Sequence, residues 1–200
     1  MNKIITIGRE FGSGGRELGR RLAEELGIAY YDREIIAEIA KRTELSEQYV
    51  QQIVEHRPLN LMPITIGHSI CPVPHPLMEQ NREIYCQQAQ ILTEMSEKSD
   101  CVLVGRCADY ILQDKAKCLK VFIHADMAFR AKRIVEVYGE REQSPEQRLR
   151  DKDKRRAAYH RFYTNMKWGY AQNYHITLDS GELGIDKCAD IIADLYKSKA

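Results

Sequence analysis

Ile4-Ile5-Thr6-Ile7 is an apolar, largely β-branched run, and it passes directly into Gly8-Arg9-Glu10-Phe11-Gly12-Ser13-Gly14-Gly15. The period then changes: Leu18, Leu22 and Leu26 recur every fourth residue until Gly27, which is the pattern of a helix with one buried stripe and a glycine stop. A strand over residues 3–7 and a helix opening around Gly14 follow from these patterns. Ile28 to Tyr31 reads as a second short strand. Asp32 then stands where a cap belongs, ahead of a helix carrying Ile35, Ile36, Ile39 and Ala40. Ser46 occupies the same place before a segment that runs to Glu55.

Residues 57–78 break the periodicity. Five of the six prolines (58, 63, 72, 74 and 76) fall there, so the stretch reads as a loop excursion. Helical spacing resumes over Arg82–Lys98. Cys101–Val104 reads as a buried central strand ending at Gly105-Arg106, followed by a helical turn over Ala108–Leu112. A strand over Leu119–Ile123 precedes a helix through Met127, Ala128, Ala131, Ile134 and Val135. Tyr174–Leu178 supplies the last strand and Ile185–Leu195 the last helix. Strands alternating with helices predict a single α/β domain over residues 1–200, a three-layer sandwich around a mainly parallel sheet.

Composition narrows the function. Thirty Lys and Arg balance 29 Asp and Glu, so overall charge gives no reason to expect a nucleic-acid partner. No apolar run approaches membrane-spanning length and the first residues do not form a secretion signal, which points to the cytoplasm. The six cysteines form no Cys-x-x-Cys pair and read as buried thiols of a reducing compartment. His68, Cys71 and His75 lack flanking ligand pairs, so no protein metal site is read from them.

A strand, a glycine turn and a helix in that order are the context in which glycines signify phosphate binding. An ordinary phosphate loop places Lys and then Ser or Thr after its last glycine, whereas here Gly15 and Arg16 follow Gly14. Backbone N–H groups of Gly12, Ser13, Gly14 and Gly15, with Arg9 and Arg16 beside them, are suited to cradling phosphate oxygens. Arg16, helped by Arg9, is expected to supply the missing lysine's charge. The plain alternative is a turn joining a strand to a helix, with Arg16 solvated. Arg106 adds a guanidinium at the end of the central strand, on the same sheet edge.

From Arg130 to Lys167 there are 12 Lys or Arg against 6 Asp or Glu, centred on Arg148–Arg156. This segment reads either as a solvated helix tied by pairs such as Asp151–Arg155 and Asp153–Arg156, or as an arginine-bearing lid over about residues 139–161. Asp32 is the best carboxylate for positioning Mg²⁺-bound water or an acceptor if it is not simply a cap; Asp109 is a weaker candidate. Ser13 has no histidine–carboxylate relay, which argues against acyl transfer. The glycines lack the third member of a dinucleotide fingerprint, and Asp32 comes early for a ribose-binding acid. Tyr159, Phe162, Tyr163 and Trp168 beside the basic run leave room for RNA or polyphosphate binding.

Taken in order, Gly8–Glu17, Tyr31-Asp32-Arg33-Glu34, Val104–Asp109, Arg150–Arg156, Lys167-Trp168-Gly169, Asn173-Tyr174-His175 and Leu178-Asp179-Ser180 make the chain resemble the cytidylate-kinase-like proteins. These are a branch of the P-loop nucleoside monophosphate kinases. The resemblance implies Mg²⁺-dependent transfer from ATP or another nucleoside triphosphate to a small acceptor, with CMP or dCMP the leading candidate. It places donor phosphates over Gly12–Arg16 and the acceptor among helices of residues 33–98. Asp32, Arg33, Arg106, Asp153 and Arg156 would bind the acceptor. Arg16, Arg106, Arg150 and Asp32 would be catalytic, with Arg148 and Arg150 in or beside the lid. The chain departs from the family pattern at five positions. Gly15 takes the lysine position, Arg16 the small-residue position and Glu17 the threonine position. Arg33 replaces a serine after Asp32, and Cys107 replaces the aspartate of Gly-Arg-Asp. These departures leave both donor and acceptor open, and a catalytically weak nucleotide-binding protein is the main alternative.

Overall fold

Alternation along the central strands sends successive side chains into two separate cores. A computed structural model describes residues 2–55, 76–115, 117–137, 139 and 144–198. Among these, β1 (Ile4–Arg9), β2 (Ala29–Tyr31), β3 (Cys101–Val104), β4 (Cys118–His124) and β5 (Ile176–Asp179) form one sheet in the order β2-β3-β1-β4-β5. All its pairings are parallel, with Ile4 beside both Cys101 and Cys118. Cys101 and Leu103 face a core built with α2 (Arg33–Thr43), α3 (Glu47–Glu55) and α4 (Pro76–Lys98). Val102 and Val104 face the other core, under α1 (Gly15–Leu26) and α9 (Ile185–Ser198). Each fully buried Ile, Leu or Val adds roughly 1.5–3 kcal/mol. A sheet covered on both faces explains why β3 is apolar throughout rather than alternating with polar residues.

The helix signals hold with two corrections. Gly27 closes α1 in the left-handed conformation, its N–H donating to Ala23 and Glu24 carbonyls, and Ser46 Oγ accepts from Tyr49 N–H at 3.2 Å. Asp32 precedes α2, but its carboxylate makes no cap hydrogen bond. Glu34 instead reaches back to accept from the Asp32 N–H at 3.0 Å, which leaves the aspartate for other partners. The helix expected from Arg82 begins at Pro76, proline being suited to a first helical turn where no N–H partner is needed. The rest of the proline-rich stretch, including His68, Cys71 and His75, lies outside the described residues.

The basic run forms α7 (Pro145–Thr164), after α5 (Ala108–Ile111) and α6 (Met127–Glu136); α8 (Ser180–Leu183) follows β5. Parallel strands put every carboxyl end on one edge. Arg9, Asp32 and Gly105-Arg106 therefore meet at the ends of β1, β2 and β3, in the crevice where open α/β sheets bind ligands. No described helix is long and apolar enough to cross a membrane.

Candidate functional site

Gly12 (φ 81°) and Gly14 (φ 80°) take left-handed backbone conformations in the loop after β1. Ser13 between them is buried. Its hydroxyl donates to the Glu10 carbonyl at 3.0 Å, and its own carbonyl accepts from Ser180 Oγ at 2.6 Å. Ser13 thus fastens the loop to α8 rather than lining the cleft. α1 opens at Gly15, and a helix's first turn carries N–H groups without intrahelical partners. The loop borders a cavity of about 480 Å³ that is also lined by Arg9, Arg16, Arg33, Arg148, Lys152 and Arg156.

The cations are arranged unevenly. Arg9 lies at the end of β1 with 12% of its side chain exposed, passing beside Gly15 and Gly105; a Cβ on Gly15 would lie 2.6 Å from Arg9 Cβ, and one on Gly105 would overlap the guanidinium outright. Asp32 sits 3.7 Å from Arg9 Nη2 and 2.6 Å from Arg16 Nε, while the Arg16 side chain is 46% exposed. Arg16 is therefore held by Asp32 as well as bordering the cavity. Burial, then the neighbouring guanidinium of Arg156, push Arg9 down from its ordinary value to about 9; Asp32 opposes this, and Arg106 and Arg16 add to it. Arg9 remains a cation at neutral pH in surroundings that hold more positive charge than Asp32 neutralises.

That imbalance has a measurable sign. Between about 9 and the ordinary arginine range the ligand-free folded protein holds fewer protons than the unfolded chain, so this group makes folding more favourable as pH rises through that window. A bound anion needs the cation and reverses the preference. Inorganic phosphate should raise the melting temperature at neutral pH, and the gain should shrink as pH passes about 9. An undiminished gain at neutral pH in Arg9→Gln, read by scanning calorimetry, would remove Arg9 from that role.

α7 presents one face to the cavity. Arg148, Lys152 and Arg156, spaced four apart, all line it. Arg150, two residues on from Arg148, is turned about 200° around the helix and pairs in solvent with Glu146 at 3.1 Å. The expectation that Arg150 overhangs the cleft fits Arg148 and Lys152 better for this reason. Arg156 Nη1 donates to the Arg9 carbonyl at 3.2 Å, and its guanidinium lies 5.4 Å from the Phe11 ring centre. Asp153 turns inward rather than pairing along the helix with Arg156. It accepts the Phe11 N–H at 2.7 Å and meets Arg130 Nη1 at 2.5 Å. Arg130 also donates to the Phe11 carbonyl at 3.3 Å and lies 3.4 Å from Glu10. Asp153 is thus a brace between α7, α6 and the loop. In sequence Arg130 stands out only as part of the basic run, because its partners come from the loop after β1 and from α7.

Arg106 occupies a smaller hollow of about 50 Å³ that shares Arg9 and Arg156 with the main cavity and is also lined by Trp168. Gly105, Arg106 and Cys107 have φ of 74°, 57° and 54°. Left-handed torsions at a non-glycine residue disfavour the backbone by roughly 1–2 kcal/mol each, a strain that concentrates at working sites. Gln88 Nε2 anchors the turn by donating to the Arg106 carbonyl at 2.9 Å. Asp109 is buried at 2.9 Å from His160 Nε2, which engages the second carboxylate candidate in the helix interface. Burial, then Asp109, push the Cys107 thiol well above its ordinary range, so it stays a neutral thiol. Glu17, at the threonine position, is paired with Arg21 and Arg133.

Comparison with known proteins agrees with this geometry. The family model described as "Cytidylate kinase-like family" matches residues 4–182. An uncharacterized protein from Eubacterium ventriosum ATCC 27560 has 29% identity and a TM-score of 0.73, with 98% of this chain and 99% of that chain covered. Shikimate kinase from Acinetobacter baumannii, solved with shikimate, has 19% identity and a TM-score of 0.55 over 99% of this chain and 94% of that one. A gluconokinase from Sinorhizobium meliloti 1021 has 13% identity and a TM-score of 0.58 over 98% and 94%. The last two show a shared P-loop kinase-like fold. No match was found among curated protein sequences.

Proposed function

From its membership in the cytidylate kinase-like family, to which this chain belongs, we propose that it transfers the γ-phosphoryl group of a nucleoside triphosphate, ATP first, to a small acceptor for which CMP or dCMP is the leading candidate. The observation that carries this reading is the convergence of Arg9, Arg16 and Arg156 on a glycine loop at the sheet's carboxyl edge, with Arg106 in the adjoining hollow. Phosphoryl transfer asks chiefly for alignment and for cations where charge spreads over the transferred group. Backbone N–H groups of Gly12, Gly14, Gly15 and Arg16, at the start of α1, would take the donor's β and γ oxygens. Arg148, Lys152 and Arg156 would cover them from α7, and Arg106 would hold the acceptor's anionic group. Arg33 at the start of α2 would border the acceptor, giving this site a cation where the family pattern has a serine.

Mg²⁺ is compatible with these residues. Asp32 Oδ1 is buried without a hydrogen-bond partner, and among the described residues no three His, Cys, Asp or Glu side chains converge on a metal position. One carboxylate suits an ion that draws most of its ligands from phosphates and water. Asp32 would hold it once its ion pairs with Arg9 and Arg16 open, and the ion would supply charge neutralisation for the donor phosphates.

The test is an acceptor screen with ATP and Mg²⁺ read by phosphorus NMR or mass spectrometry, covering nucleoside monophosphates, nucleosides and hydroxylated non-nucleotides. A phosphorylated product that disappears in Arg106→Ala is the expected result. Nucleotide binding without any phosphorylated acceptor would favour a binding protein instead. The Arg16–Asp32 ion pair supports that second reading, since it occupies the carboxylate that a hydroxyl acceptor would use.

A further inference from the structure

The ordinary phosphate loop reads Gly-x-x-x-x-Gly-Lys-Ser/Thr. With Gly14 as its second glycine, the first glycine position falls on Arg9 and the lysine position on Gly15. Glycine and cation have changed places, and the geometry shows that the two changes are one. Arg9 Cβ lies 2.6 Å from where a Cβ on Gly15 would stand, so the side chain leaves β1 at the point where a lysine on α1 would begin. From there its guanidinium runs across Gly105, where any side chain would overlap it, towards Asp32. Arg9 borders both the 480 Å³ cavity and the 50 Å³ hollow of Arg106, so it stands at the junction where a phosphoryl group would pass between donor and acceptor.

We propose that Arg9, supplied from the end of β1, is the catalytic cation of this loop, contacting the transferred phosphoryl group in place of the lysine that Gly15 has vacated. Arg16, held half-exposed against Asp32, contributes only secondarily. This inference rests on the phosphoryl-transfer reading above. The acceptor oxygen forms the new bond to the γ phosphorus as the bond to the β,γ-bridging oxygen breaks, with the electron pair remaining on the departing diphosphate. An acceptor hydroxyl releases its proton to water; a phosphate oxygen has none to release. Arg9 keeps its proton throughout and serves only as a fixed charge with two donors in a plane.

The test is a reciprocal exchange. Binding of a non-hydrolysable ATP analogue and of inorganic tripolyphosphate is measured by calorimetry for the wild type, Arg9→Gly, Gly15→Lys and the double variant, with fold followed by circular dichroism. Arg9→Gly should weaken binding on the order of 10- to 100-fold, the worth of a charge-assisted hydrogen bond. Gly15→Lys alone should fold poorly or bind weakly, because its side chain meets Arg9. The double variant should recover most of the affinity, since the lysine then has both the position and the room. A folded double variant no better than Arg9→Gly would overturn the exchange. Should the glycine variants fail to fold, Arg9→Gln keeps the packing and removes the charge, and undiminished binding there would overturn it equally. A wild type that binds neither probe would instead sink the phosphoryl-transfer reading itself.

Discussion

Replacing Asp153 with alanine should destabilise the protein by about 3–5 kcal/mol and loosen the phosphate loop at the same time. Asp153 neutralises Arg130, whose side chain is only 6% exposed, and holds the Phe11 N–H at 2.7 Å. Truncation leaves a buried guanidinium with Glu10 at 3.4 Å as its remaining carboxylate, together with a loop N–H deprived of its acceptor. Equilibrium unfolding in urea reads the first effect, and hydrogen exchange at Phe11 reads the second. Asp153→Asn should lose less, because its amide oxygen still accepts one of the two bonds. If the alanine variant melts like the wild type, the brace between α6, α7 and the loop carries no weight.

Gly105→Ala should weaken binding of a non-hydrolysable ATP analogue on the order of 10- to 100-fold, as loss of the Arg9 side chain does. Its φ of 74° disfavours a side chain by roughly 1–2 kcal/mol from the backbone alone, and the methyl group would occupy the space of the Arg9 guanidinium. Gly27→Ala provides the control. Gly27 has φ of 64° with nothing within 4 Å of the point where a methyl group would stand, so it carries the backbone penalty without displacing anything. Both variants should lose similar stability from the backbone, while only Gly105→Ala should lose affinity for the ATP analogue in calorimetry. Retained affinity there would mean that the Arg9 position is dispensable.

The elements were largely legible because their signals are local. Ile4–Ile7 and Cys101–Val104 are short apolar runs between turn residues, and Leu18, Leu22 and Leu26 mark one helix face up to Gly27. The start of α4 was harder to read, since prolines mark loops and first helical turns alike. The basic run read either as a solvated helix or as a lid, and its facing could not be read at all; α7 carries charge nearly all round, and no apolar stripe tells Arg148 from Arg150.

The sequence by itself determined that a strand, a glycine turn and a helix open an α/β fold, and that arginines crowd its phosphate loop where a lysine is missing. Those are properties of neighbours along the chain, set by side-chain period, by the torsions that glycine permits and by the count of charges. The proposal that Arg9 takes the lysine's place could be drawn only in three dimensions. Parallel pairing brings the ends of β1, β2 and β3 together, so that Arg9, Asp32 and Gly105, far apart in sequence, share one crevice. Close packing then does the selecting: Gly15 and Gly105 leave room for one guanidinium, while Arg16, on the first turn of α1, is half-exposed against Asp32. Asp153 was assigned by the same logic, for its partners Phe11 and Arg130 meet it only once α6, α7 and the loop are packed together.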